Sequence, residues 1–337
     1  MQYKYVKNYK RPCPAPDINS GEKKFVRFFS NRISSAFLFG QLAILVLSVI
    51  LTFALMIVLG FDKTEEYITN DYALLIEQIV FSAILFVPTF FIAKLTMGNY
   101  AKGLLHFKIY HKKYSFYLFL VALGFTAVSN ILTDIISVIF SLLNLSPMSF
   151  TFEIPHSAGG VILYLLTLAV APAIVEEYAL RGVTLGALRN LGDKNALIIS
   201  SLLFALMHAN FIQIPFALLM GLILGYLTLV TGSIIPAVVL HFINNLLSGL
   251  VGLADEFISY ESAIVFQWCY YTVFLALGVI GYVLLKKNYS TPFLKLKNDR
   301  LSLPGKAAVK TFFLTSPATI IICIYFIGSA VFDLFGK

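Results

Sequence analysis

The sequence predicts an all-α fold, a polytopic membrane helical bundle of eight to nine transmembrane helices. Composition is the first reason. Of 337 residues, 59% are hydrophobic and only 12% are charged, whereas about a quarter of an average soluble domain is charged. Length of the apolar runs is the second, because a hydrocarbon core about 30 Å thick needs about 20 mostly apolar residues per helical crossing, and such runs recur from Ala36 to Phe335. The third is loop charge, which alternates in sign from one run to the next, as helices that cross a bilayer require.

In chain order, the first run spans 36–60 and follows a 35-residue tail with eight Lys or Arg and a Pro-rich patch, Arg11 to Pro16. That tail lacks the pattern of a cleaved secretory signal, so the first helix is expected to remain as an anchor. The run 72–97 follows the acidic stretch Asp62 to Asp71, and 114–142 follows Lys102, Lys108, Lys112 and Lys113. The run 160–190 comes after Glu153, and Arg189 and Lys194 separate it from 195–210. A tight connection at Asn210 and Phe211 joins 195–210 to 212–230, which predicts an antiparallel helical hairpin. The run 233–251 leads to Asp255, Glu256 and Glu261, and 262–285 leads to the basic stretch Lys286 to Lys310 before a last run, 311–335. Basic loops stay on the cytoplasmic side, so the amino terminus is expected there, most simply at the plasma membrane. The expected organisation is a basic cytoplasmic tail (1–35), a membrane domain (36–285) and a basic cytoplasmic loop with an additional hydrophobic helix (286–337).

Several function classes fall away. Cys13, Cys269 and Cys323 share no spacing of a metal knuckle or a disulfide framework. The net charge of +8 concentrates in the tail and in alternate loops, a membrane-topology pattern that leaves no nucleic-acid surface; the partner it points to is the lipid bilayer.

Ionisable groups within a span cost several kcal/mol unless they face a cavity or a partner. Glu77, Lys94 and Asp134 lie near span ends and are expected at the interface. Glu176, Glu177 and Arg181 remain in the fourth span, His208 in the fifth, and His241 with Asn245 in the seventh. At a rise of about 1.5 Å per residue, Glu176 and His208 lie about 27 and 21 Å from Lys194, and His241 and Asn245 about 14 and 20 Å from the turn at Gly232, so the four can share one level. Pro172, four residues before Glu176, removes a backbone donor and can open a pocket beside the carboxylate. Residues four apart share a helix face, so Glu177 can pair with Arg181 while Glu176, turned by about 100°, stays free. Asn244 is expected to face a neighbouring helix, and Gly221 with Gly225 to allow close helix packing.

A glutamate and a histidine beside a water can act as general bases, and a second histidine with a side-chain amide can donate to a developing oxyanion. Glu176, His208, His241 and Asn245 thus fill the roles needed to cleave an amide bond. Equally, Glu176, His208 and His241 could hold a zinc ion with an open water position. His-Glu-x-x-His, Gly-x-Gly-Asp and Gly-x-Ser signatures of other membrane proteases are absent.

Glu176-Glu177-Tyr178-Ala179-Leu180-Arg181, Phe204-Ala205-Leu206-Met207-His208 and His241-Phe242-Ile243-Asn244-Asn245 resemble the EExxxR, FxxxH and HxxxN motifs of the CAAX-protease and bacteriocin-processing family of intramembrane proteases. The resemblance covers about residues 160–250. It implies an eight-helix-type core with a conical intramembrane cavity, water activation by Glu176 and His208, and oxyanion stabilisation by His241 and Asn245. Glu177, Arg181 and Phe204 would support them. It further implies a membrane-associated protein or peptide as substrate. The family is conventionally called metalloprotease, and because some members are linked to bacteriocin self-immunity or nonproteolytic scaffolding, a nonproteolytic immunity or regulatory scaffold is the alternative reading; a transporter is a further alternative on the buried charges alone.

Overall fold

The computed structural model describes residues 21–101, 107–145, 154–293, 295–296 and 313–335; the Pro-rich patch and most of the Lys286 to Lys310 loop lie outside them. Among the described residues there are helices and turns but no strand. The helices are α1 (Gly21–Leu59), α2 (Phe61–Ile68), α3 (Asp71–Met97) and α4 (Lys112–Leu142), then α5 (Ala158–Leu191), α6 (Asp193–Leu206) and α7 (Gln213–Thr231), and finally α8 (Ile235–Phe257), α9 (Tyr260–Asn288) and α10 (Pro317–Phe335). Among the described residues, eight of these are long and apolar enough to cross a membrane. The exception, besides the short α2, is α6. Its 14 residues rise about 21 Å, two-thirds of a hydrocarbon core. The expected span 195–210 is therefore a shorter helix, buried within the protein, and His208 falls beyond its end.

The first helix also differs from expectation, starting at Gly21 rather than near residue 36. Phe25, Val26, Phe29 and Ile33 recur at helical spacing between Lys23, Lys24, Arg27 and Arg32, so the basic stretch is amphipathic and its apolar face joins the core. Val26, Phe29 and Ile33 are fully buried. Away from the core, Phe39, Leu45 and Ile57 point outward, as side chains facing lipid do.

Without a hydrophobic driving force between helices in lipid, close backbone approach and interhelical hydrogen bonds hold the bundle. Helices α4 and α9 meet at Gly124 and Gly278, where a Cβ on Gly278 would lie 2.7 Å from Gly124 Cα. Asp134 on α4 accepts hydrogen bonds from Gln267 Nε2 (2.9 Å) and Tyr271 OH (3.1 Å) on α9; the carboxylate expected at the interface is an interhelical tie. Gly221 and Gly225 seat α7 on α6, with added Cβ atoms 2.9 Å from Ser201 and 2.6 Å from Leu197. The last helix docks on the first, where the Ser30 hydroxyl donates to Phe313 O at 2.7 Å and Ser34 Oγ bonds Thr319 Oγ1 at 2.7 Å.

Overpacking a filled contact costs about 1–3 kcal/mol, so Gly278→Val is expected to lower the thermal unfolding temperature in detergent. Gly328→Val, where an added Cβ meets nothing within 4 Å, is the matched control. Equal effects from the two would refute the close α4–α9 contact.

Candidate active site

The site begins with an irregular helix. Within α5, regular turns at Ala158–Leu165 and Ala171–Glu177 alternate with π turns at Leu166–Val170 and Tyr178–Leu185. Isolated π turns are rare and concentrate at functional sites. Pro172 lacks the N–H that would bond the carbonyl four residues back, that of Leu168. Asn245 Nδ2 on α8 donates to that carbonyl at 3.0 Å. A carbonyl can only accept, so this bond fixes which end of the Asn245 amide is nitrogen. The remaining oxygen, Asn245 Oδ1, accepts from Asn244 Nδ2 (3.2 Å), and Asn244 Oδ1 accepts from Asn130 Nδ2 on α4 (3.0 Å). Three amides thus form one oriented chain between α4, α8 and α5.

The two adjacent glutamates have separate surroundings. Glu177 is fully buried, and its Oε1 accepts from Arg181 Nη1 at 2.8 Å and from His241 Nδ1 at 3.0 Å. The Arg181 guanidinium carbon stands 4.3 Å from the centroid of the Phe204 ring. That ring in turn meets His208 edge-on at 5.0 Å and His241 at 6.0 Å. Phe204 therefore spaces the cation and both imidazoles. Glu177 Oε2, Arg181 Nη2 and Thr184 Oγ1 are buried without a hydrogen-bond partner among the described residues. Glu176 makes no hydrogen bond to any described residue and instead lines a cavity of about 280 Å³.

His208 reaches that cavity from the turn after α6. Ala209 there adopts a left-handed backbone (φ 49), uncommon for a residue with a Cβ. His208 Nδ1 lies 2.7 Å from Phe204 O; the nitrogen must donate, which in the neutral ring leaves Nε2 with a lone pair. Asn210 orders the same turn, its Oδ1 accepting from the backbone N–H groups of Ile212 (2.9 Å) and Gln213 (3.2 Å). Its Nδ2 donates to Asp333 on α10 at 2.9 Å, so the last helix is tied to the segment carrying His208.

The cavity collects Glu176, His208, His241 and Asn245 with Pro172 and Phe204, and adds Gln78, Gln213 and Asn244. Asn244 faces a neighbouring helix as expected, bonded to Asn130 on α4, and it also lines the cavity, because neighbours about 100° apart can share a wide cavity. Asn130, Gln78 and Gln213 were not anticipated. Their signal was available, as amides within apolar runs, but amides are also common interhelical links. Among the described residues no group of three His, Cys, Asp or Glu side chains that could hold a metal ion is found; His241 turns its Nδ1 to Glu177 and keeps Nε2 for the cavity.

Removing one partner of a buried ion pair costs about 3–5 kcal/mol, because the other charge is left alone. Arg181→Ala is therefore expected to destabilise the protein by about that amount in denaturant unfolding, and Arg181→Lys to recover only part of it, since an ammonium cannot present a flat face to Phe204. Unfolding of Arg181→Ala at the wild-type midpoint would contradict the arrangement.

No curated protein and no solved structure matches the chain. Residues 158–247 match the family model described as Type II CAAX prenyl endopeptidase Rce1-like. The matched stretch runs from the start of α5 into α8 and contains Glu176, Glu177, Arg181, Phe204, His208, His241 and Asn245. That stretch is 90 of the 337 residues, and over it this polytopic membrane protein is similar to Rce1-like type II CAAX prenyl endopeptidases.

Proposed function

We propose that the chain is an intramembrane endopeptidase that hydrolyses a peptide bond of a membrane-associated protein or peptide using water activated by Glu176 and His208. The observation that carries this reading is the unequal placement of the two glutamates, Glu177 bonded to Arg181 and His241 and Glu176 facing the cavity without a bond to any described residue. A cavity of about 280 Å³ has room for several waters at about 30 Å³ each.

In this mechanism Glu176 takes a proton from the water, His208 Nε2 accepts a hydrogen bond from the same water, and the oxygen attacks the scissile carbonyl carbon. The second Nδ2 hydrogen of Asn245 and a proton on His241 Nε2 donate to the oxyanion. Glu177 accepts from His241 Nδ1 and so supports the imidazolium that this donation requires. Glu176 then returns its proton to the departing amine as the C–N bond breaks. Each group has an ordinary magnitude to supply, about 10²- to 10⁴-fold for general acid–base work and about 3–4 kcal/mol for an oxyanion donor. No metal enters any step. Loop charge supports a cytoplasmic amino terminus.

The test is a comparison of peptides released from membranes carrying wild-type protein, Glu176→Gln or His208→Ala, identified by mass spectrometry. Release is expected to fall at least about 10²-fold in either variant while the protein remains folded, and to persist in wild type after metal chelation. Identical peptide sets from wild type and a folded Glu176→Gln would overturn the enzymatic reading.

A further inference from the structure

A second cavity, of about 430 Å³, lies between α1 and α3, lined by Asn31, Arg32, Phe39, Ile92 and Thr96 among others. It lies on different helices from the peptidase motifs, and no step of the mechanism uses it. Its two walls run antiparallel, so Arg32 stands level with Thr96 at one end and Phe39 with Thr89 at the other. At about 1.5 Å per residue those ends are about 10 Å apart. Asn31, Arg32 and Ser35 share a helix face by their spacing and make one end polar, while Ala36, Phe39, Ile92 and Ala93 make the rest apolar. The polar end is the one nearest the basic surface, with Lys23, Lys24 and Arg27 preceding it on α1 and Lys94 beside it on α3.

Arg32 has no carboxylate partner among the described ion pairs. Its guanidinium carbon lies over the Phe28 ring, 3.6 Å from the centroid, and its one hydrogen bond among the described residues is a long one from Nη1 to Phe28 O, 3.4 Å. A guanidinium has five N–H donors. Arg32 Nε is buried without a hydrogen-bond partner among the described residues. A cation at a membrane surface, held by stacking and short of acceptors, above a groove of alkyl and aromatic side chains, is complementary to a phosphate carrying an acyl chain.

We propose that this groove binds one anionic phospholipid, its phosphate on Arg32 with Asn31 and Ser35 and an acyl chain along Phe39 and Ile92. The lipid would fill the space between α1 and α3, and α3 continues to the peptidase cavity through Gln78.

Full-length protein is purified in detergent, exposed to equal amounts of dioleoylphosphatidylglycerol and dioleoylphosphatidylcholine, and the retained lipid is measured by native mass spectrometry. The anionic lipid is expected to be retained about fivefold over the zwitterionic one, the preference that one interfacial cation supplies. Arg32→Gln should abolish that preference and Arg32→Lys keep most of it, while Arg27→Gln, which removes an exposed cation from the same helix outside the groove, should leave it unchanged. Equal retention of both lipids by wild type overturns the proposal, as does an equal loss in Arg27→Gln, which would assign the preference to diffuse surface charge. Where Arg32→Gln does not fold, Ser35→Leu, which fills the groove and keeps the charge, is the deciding variant: loss of the retained lipid supports the site, and wild-type retention overturns it. The experiment reads lipid, not proteolysis, so its outcome is independent of the proposed enzymatic activity.

Discussion

One buried carboxylate organises the centre of this protein. Glu177 accepts from both Arg181 and His241 through a single oxygen, and a charge so far from water is tolerable only with partners of that kind. The consequences spread outward from it. Arg181, held by Glu177, lies against Phe204; Phe204 sets the spacing of His208 and His241. His241, held by the same oxygen, has its ring orientation fixed from behind and turns its other nitrogen away from Glu177. Because Glu177 carries these interactions, its neighbour Glu176 is left to the cavity. An EE pair thus becomes one structural group and one open group on a single turn of helix.

A second constraint acts through the backbone. Pro172 removes a donor from α5, the helix adopts π turns on both sides of the glutamate pair, and the Leu168 carbonyl is served by Asn245 from another helix. That bond fixes the Asn245 amide, and the chain through Asn244 to Asn130 fixes it further. Irregular backbone at membrane depth is tolerated where protein groups satisfy it. Here the satisfying groups belong to the site, so the irregularity and the proposed oxyanion donor share one cause. Likewise the turn carrying His208 combines a left-handed Ala209 with the Asn210 capping bonds and the link to Asp333, which gives the C-terminal helix a place in the architecture of the motif region.

Membrane character was legible in the sequence because it depends on summed properties, namely hydrophobicity over about 20 residues and loop charge, that need no tertiary detail. The pairing of Glu177 with Arg181 and the freedom of Glu176 were legible for a similar reason: helix geometry alone relates positions four apart and one apart. The bond from His241 to Glu177 was not, since it joins residues 64 apart in the chain and several helix packings could have aimed that imidazole at Glu176. The turn expected at Asn210 and Phe211 begins four residues earlier, after Leu206; Met207, His208 and Ala209 carry no breaker that would end the helix in the sequence. The interhelical role of Asn244 was legible, but its place in the cavity lining was missed by treating a helix face as a sharp direction, when a cavity between several helices admits neighbours from a broad arc. The extension of α1 back to Gly21 was obscured by its lysines and arginines, whose helical spacing rather than total charge held the information.

The division of labour between the two glutamates is the claim on which the rest depends, and a pair of double-mutant cycles tests it most directly. Unfolding free energies would be measured for Glu177→Gln, Glu176→Gln and Arg181→Met, and for each glutamate variant combined with Arg181→Met. A coupling of about 3 kcal/mol between Glu177 and Arg181, with a value within about 0.5 kcal/mol of zero between Glu176 and Arg181, is the expected result. Equal couplings, or the larger one at Glu176, would contradict the assignment of Glu177 to structure and Glu176 to chemistry.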